Sequence, residues 1–209
     1  MTGKFIVFEG IDGSGKTTQI ALLKEYLQQK GHRVISTREP GGTPVSEEVR
    51  AILLNPEHKD LHYRTEALLY AAARAQHVET LIKPALEQGA VVLCDRFVDS
   101  TLAYQGYGRG LSLDFLQQIN NLATGGLQPH LVLIFDLTEK EGLSRVKRRS
   151  GGDRLEREPE QFHRLVRQGY LEISRRQPKN HLVLNASLPV EELQHRVRSA
   201  VEEILNAAT

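Results

Sequence analysis

Apolar residues in this chain gather into short runs separated by longer stretches in which they recur every three or four positions. Five runs rich in Val, Ile, Leu and Phe, at 4–9, 32–37, 90–95, 131–136 and 181–185, are bounded by turn-forming residues and predict strands. The intervals predict helices. In the first, Thr18 to Lys30, Ile20, Leu23, Tyr26 and Leu27 fall on one face, and Gly31 follows as a stop. A longer helical pattern runs from Tyr63 to Glu87, with Pro84 near its end. The terminal helix begins after Pro189 and carries Leu193, Val197, Val201 and Ile204. Alternating strands and helices imply a parallel sheet with right-handed crossovers and helices on both faces. Ligands then bind beyond the carboxyl ends of the strands.

Chemistry enters at the first strand-to-helix turn. Gly10-Ile11-Asp12-Gly13-Ser14-Gly15-Lys16-Thr17 fits G-x-x-x-x-G-K-[ST] and lies between Lys4-Phe5-Ile6-Val7-Phe8 and the first helix, where a phosphate loop must lie. Its glycines let backbone N–H groups converge, and the helix start adds partial positive charge. Lys16 is placed for β/γ-phosphates, and the Thr17 hydroxyl for Mg²⁺. Chance alone yields such a match in roughly 1 in 100 chains of this length. A P-loop NTPase-type three-layer α/β/α fold, with a five-stranded parallel sheet and a short lid, is the predicted architecture.

Composition narrows the class. The 209 residues suit one P-loop domain spanning 1–209, and a net charge of +1 gives no reason to expect nucleic acid or a membrane surface as partner. Cys94 is the only cysteine, so no disulfide framework or cysteine zinc site is available, and its apolar run marks it as a small core residue. No signal segment precedes Lys4, and no apolar run reaches the ~18 residues of a membrane span, so a cytoplasmic location is expected.

Val91-Val92-Leu93-Cys94-Asp95 ends in an acid followed by Arg96. At the edge shared with the phosphate loop, such an acid serves the Mg²⁺ shell. No Asn-Lys-x-Asp run is present to read guanine, and the eight histidines show no H-E-x-x-H spacing. A basic cluster, Arg145-Val146-Lys147-Arg148-Arg149, opens into Ser150-Gly151-Gly152-Asp153-Arg154. It reads as a solvated helix end or as a mobile lid, about 146–156, that closes guanidinium groups over ATP. Arg38, Arg50, Arg74 and Arg96 are isolated cations whose planar forks suit an acceptor carrying its own phosphate. At this level the residues favour a small phosphotransferase, with a kinase for another nucleoside monophosphate and a nucleotide-dependent switch as the alternatives.

Five ordered segments resemble the thymidylate (dTMP) kinases. They are Glu9 to Thr18, Thr37-Arg38-Glu39-Pro40-Gly41-Gly42-Thr43, Leu69 to His77, Asp95-Arg96-Phe97, and Ser100 to Gly106. The resemblance implies ATP and Mg²⁺ as cofactors, with Gly10 to Thr18 as the donor loop and Thr17 and Asp95 at the metal. It implies that Asp12 meets the deoxyribose 3′-hydroxyl and that Arg50, Arg74 and Arg96 surround the dTMP phosphate, with Arg38 close by. Tyr70 then stacks on thymine, Thr101 and Gln105 lie along the base edge, and Tyr104 crowds C2′. A homodimer formed through the long helices and a cis Glu39-Pro40 bond are implied as well. Two departures stand out. The stacking residue is more often Phe than Tyr, and the variable loop positions Ile11, Asp12, Gly13 and Ser14 carry no Arg. The catalytic cation is then expected from the lid. Lys147 stands where bacterial members usually carry Arg, Arg148 is additional, and Arg149 is the first choice, with Arg154 next.

Overall fold

The computed structural model describes residues 3–147 and 152–207. Five strands, β1 (Lys4–Glu9), β2 (Val34–Arg38), β3 (Val91–Asp95), β4 (Leu131–Asp136) and β5 (His181–Asn185), form one sheet in the order β2-β3-β1-β4-β5. All neighbours are parallel. The three central strands are almost wholly buried, as continuous apolar runs covered on both faces must be, whereas β2 and β5 are half exposed at the edges. The strand expectations hold, each within two residues.

Helices α1 (Lys16–Gln29), α2 (Pro44–Leu54), α3 (Tyr63–His77) and α4 (Lys83–Glu87) come from the first half of the chain. The single long helix expected from Tyr63 to Glu87 stays helical but widens into π-turns at Val78–Ile82 between α3 and α4. Pro84 cannot donate a backbone hydrogen bond, and the wider turn precedes it. Then follow α5 (Val98–Thr101), a second π segment at Leu102–Gly108, α6 (Leu113–Thr124), α7 (Glu139–Lys147), α8 (Glu160–Arg176) and α9 (Val190–Asn206). The second π segment buries five consecutive residues, Leu102 to Gly106, which a regular helix could not turn to the core together.

Register decides where the site lies. Phe8 pairs with Asp95, and Asp95 with Arg38, so β1, β3 and β2 end level with one another. The residues that follow these ends, Glu9 to Gly15, Arg96 and Glu39, therefore converge at one edge. Cys94 is fully buried in this core, and burial pushes its thiol pKa up, in keeping with a packing role. Among the described residues no helix is long and apolar enough to cross a membrane.

Candidate active site

The loop after β1 is built by glycine where no side chain fits. Gly10 has φ 135°, and a Cβ there would lie 2.5 Å from the Phe135 carbonyl oxygen; Gly13, at φ 78°, meets the Gly142 carbonyl oxygen just as closely. The loop thus presses against β4 and α7 and runs directly into α1. Lys16 is buried at that helix start, and its Nζ donates to the carbonyl oxygens of Gly10 (2.9 Å) and Ile11 (3.0 Å) and to Ser14 Oγ (3.3 Å). Burial first, then the nearby Arg96 charge, lower the Lys16 pKa to about 8. Arg145 on α7 closes over the loop from outside, donating to the Gly13 carbonyl at 3.1 Å.

Beside the loop, Thr17 Oγ1 donates to Asp95 Oδ2 at 3.2 Å, so the helix start and the end of β3 do meet. The other carboxylate oxygen, Asp95 Oδ1, is buried without a hydrogen-bond partner among the described residues. A hydroxyl beside a carboxylate with an unused oxygen fits Mg²⁺, which takes few protein ligands and keeps water and phosphate oxygens for the rest. The fit is to a metal shared with a nucleotide, since the described residues hold no cluster of three or more His, Cys, Asp or Glu that could bind a metal alone.

Arg96 occupies the centre. Its φ of 71° is rare for a residue with a side chain, and such a conformation costs about 1–3 kcal/mol unless its surroundings fix it. Here they do. The Arg96 amide donates to the Phe8 carbonyl (2.9 Å), while its guanidinium donates to Asp12 Oδ1 (2.6 Å), the Gly10 carbonyl (2.9 Å), Tyr170 OH (3.0 Å), Tyr104 OH (3.2 Å) and Ser100 Oγ (3.3 Å). Tyr104 in turn donates to Asp12 Oδ2 at 2.9 Å. Burial opposes ionisation of Asp12, yet Arg96 and Lys16 hold its carboxyl well below the usual range.

Behind this centre lies a group that the sequence motifs leave without a role. Glu9 is fully buried and accepts from Phe97 N (2.7 Å), Ser100 Oγ (2.6 Å), Ser100 N (3.2 Å) and Tyr170 OH (2.9 Å). It anchors the turn that carries Arg96 and ties it to α8. Burial, then the neighbouring Asp99, raise its pKa.

Two cavities open at this edge. One, of about 820 Å³, is lined by Asp12 to Thr18, Arg38, Glu39, Arg50, Asp95, Arg96, Val146, Asp153 and Glu156. The other, of about 530 Å³, takes Tyr70, Arg74, Thr101, Tyr104, Gln105 and Leu155 together with Asp12, Arg50 and Arg96. Asp12, Glu39, Arg50, Arg96 and Asp153 therefore belong to both.

The remaining cations divide. Arg50 donates to the Pro40 carbonyl at 2.8 Å, across the cis Glu39-Pro40 bond, while Arg38 stands exposed in a two-bond pair with Glu47. Arg74 lines only the smaller cavity. It is buried, and four of its donors are engaged: Glu39 Oε2 (2.7 Å), Thr101 Oγ1 (3.0 Å), Asn120 Oδ1 (2.5 Å) and the Phe97 carbonyl (2.8 Å). Arg154 is not at the phosphate loop. Its guanidinium pairs with Glu66 and donates to the Leu53 carbonyl at 2.9 Å, and its amide donates to the Leu54 carbonyl at 3.2 Å. These bonds leave Arg154 directed at the ends of α2 and α3 rather than at a donor nucleotide. Arg148 and Arg149 lie outside the described residues.

Comparison with known proteins matches this edge to a family. The thymidylate kinase family profile matches residues 8–197, which include every segment just described. The chain belongs to the thymidylate kinase family. It is 54% identical over 209 residues to a thymidylate kinase of Pelotomaculum thermopropionicum, covering 99% of this chain and 96% of that one. A thymidylate kinase of Symbiobacterium thermophilum is 52% identical over 203 residues, covering 96% and 94%. The crystal structure of a thymidylate kinase from Ehrlichia chaffeensis superposes with a TM-score of 0.78 at 35% identity, covering 96% of this chain and 99% of that one. The fold is thus the thymidylate kinase one, as the resemblance implies.

Proposed function

We propose that this chain transfers the γ-phosphoryl group of ATP to the phosphate of dTMP, giving dTDP and ADP, and that it does so in the cytoplasm. The observation that carries this reading is the wall of Asp12, Arg50 and Arg96 common to the loop cavity and its neighbour. A donor phosphate held by Gly13 to Thr18 and an acceptor phosphate held by the arginines would face one another across it.

The acceptor phosphate is anionic near neutral pH, so the reaction needs no strong general base. Rate then comes from alignment and from charge neutralisation at the transferring group. Lys16 reaches the donor phosphates by leaving the carbonyls it now holds. Arg50, Arg74 and Arg96 supply the cationic lining for the acceptor, with Arg38 at its outer edge. Asp12, fixed by Arg96 and Tyr104, offers carboxylate oxygens to a sugar hydroxyl. Thr17 and Asp95 would hold Mg²⁺, which when bound would supply positive charge to offset that of the phosphates. Tyr70 lines the acceptor cavity, where its ring suits a pyrimidine face and burial keeps its hydroxyl protonated.

The lid of this scheme is the segment about 146–156, of which Val146, Asp153 and Glu156 already border the loop cavity. Arg149 is proposed as its catalytic cation. Arg149→Ala is expected to lower kcat and leave KM for dTMP within about threefold, because its charge would matter only as the phosphoryl group moves. An unchanged kcat would remove it from the mechanism. A homodimer is the proposed assembly, through the side-by-side α2, α3 and α6, which leave Ile52, Leu68 and Leu122 exposed. Sedimentation equilibrium measures it.

Coupled ADP detection with dTMP, dUMP, dCMP, AMP and GMP tests the whole reading. The expected result is turnover with dTMP well above dCMP, AMP and GMP. Preference for another monophosphate would reassign the acceptor, and ATP hydrolysis with no acceptor phosphorylated would favour a nucleotide switch.

A further inference from the structure

Glu66 on α3 is fully buried, and three side chains from two segments converge on it. Gln105 Nε2, from the second π segment, donates to Glu66 Oε1 at 2.8 Å. Arg109, just beyond that segment, brings its Nε to 3.5 Å from the same oxygen, and Arg154 pairs with Oε2. Arg109 also pairs with Glu158 at 2.7 Å, so the carboxylate sits in a compensated cluster rather than as a lone buried charge.

A carboxylate between two guanidinium groups only accepts hydrogen bonds. A glutamine amide in a pocket can ordinarily turn over and present either its oxygen or its NH₂. Gln105 cannot do so here without setting its oxygen against the Glu66 carboxylate. Its nitrogen is committed, Oε1 accepts no bond from the described residues, and the residue lines the acceptor cavity. The atom left for the cavity is therefore an acceptor. One helical turn earlier, Thr101 Oγ1 accepts from Arg74 at 3.0 Å, which leaves its own proton to donate.

We infer that Glu66 is a positioning residue that fixes the polarity of Gln105, so that the cavity offers an acceptor to ring N–H groups and refuses a ring nitrogen lone pair. The inference rests on the dTMP reading above and adds to it. Thymine and uracil carry N–H at N3 with a carbonyl beside it. Cytosine carries a lone pair at N3, which would face the Gln105 oxygen and leave both groups buried and unpaired. Sites that pair with one ring edge reject the other strongly, because the mismatch strands their own polar groups.

The test compares kcat/KM for dTMP, dUMP and dCMP in the wild type, in Glu66→Gln and in the double variant Glu66→Gln/Gln105→Glu. In Glu66→Gln the new amide can donate to Gln105 Oε1, and Gln105 can turn its NH₂ to the cavity. The dTMP-to-dCMP ratio is expected to fall about tenfold or more, while the dTMP-to-dUMP ratio stays within about twofold, since those two bases share one edge. General loosening of the fold would not separate the two ratios. The double variant returns one carboxylate to the cluster and restores an acceptor at position 105, so it should regain the wild-type dTMP-to-dCMP ratio. An unchanged dTMP-to-dCMP ratio in a folded Glu66→Gln protein overturns the inference. If the single variant does not fold, loss of that ratio in the double variant overturns it. A wild type that does not prefer dTMP to dCMP would defeat the acceptor reading itself, a result distinct from either.

Discussion

Arg96→Ala should lower kcat/KM for dTMP by about a thousandfold while leaving a folded protein. Losing one preorganised donor at a site of developing charge costs about 10²–10³ in rate, and arginines that neutralise a transferring phosphoryl group account for 10³ or more. Arg96 is placed to act in both ways, because it borders the loop cavity and its neighbour at once. Its loss also strands its neighbours. Asp12 Oδ1 and the Gly10 carbonyl would each lose a charged donor, and Asp12 would no longer be held in its ionised form by an adjacent cation. Arg96→Lys is expected to recover less than a tenth of the activity, since one ammonium cannot span Asp12, Gly10, Tyr104 and Tyr170 from a backbone fixed at φ 71°. Steady-state kinetics with thermal melts of both variants provide the check. Activity of Arg96→Ala within tenfold of wild type would remove Arg96 from the centre of the mechanism.

How far the sequence reveals this molecule depends on whether a feature is local. The strands at the centre of the sheet are legible because burial on both faces demands unbroken apolar runs, and β1, β3 and β4 supply them. The phosphate loop is legible because one contiguous turn performs its task. Asp95 beside Thr17 is legible from sheet register alone. The π-turns are not, because the periodicity of Tyr63 to Glu87 fits one continuous helix, and Pro84 marks a lost donor without marking where the turn widens to absorb it. Nor does any spacing reveal that Glu9, Ser100 and Tyr170, from β1, α5 and α8, close on one hydrogen-bonded group behind Arg96. Glu9 carried a faint signal, an acid at the end of an apolar strand. Tyr170 carried none, being one aromatic on the buried face of an amphipathic helix. Arg154 has a partner that its sequence neighbourhood does not reveal. Its place in a basic, glycine-hinged run points to a donor nucleotide, while its partner Glu66 lies 88 positions away and shows only in three dimensions.

Lys16 should yield the other large effect, and with it a pH signature. Lys16→Ala is expected to reduce kcat by about a thousandfold or more, since it removes the single cation of residues 10–17, the one proposed to meet the donor phosphates. Its Nζ donates to the Gly10 and Ile11 carbonyls and to Ser14, and burial together with Arg96 lowers its pKa to about 8. A bound triphosphate supplies negative charge and raises that pKa again. ATP binding should therefore take up a proton: about half of one near pH 8, and almost none near pH 6.5, where Lys16 is already charged. Apparent ATP affinity should weaken as pH rises through 8. Calorimetric titrations in buffers of differing ionisation enthalpy read the uptake directly, and Lys16→Met should abolish it. The same depressed pKa fixes the sign of a stability effect. Because the unfolded chain keeps Lys16 near 10.5, it binds more protons than the folded one between about pH 8 and 10.5, so the contribution of Lys16 to stability improves as pH climbs through that window. Below pH 8 the folded chain bears the full cost of a buried, partly compensated ammonium, and nucleotide binding relieves it. Proton uptake that persists in Lys16→Met would assign the titration to another group and leave the loop lysine charged throughout.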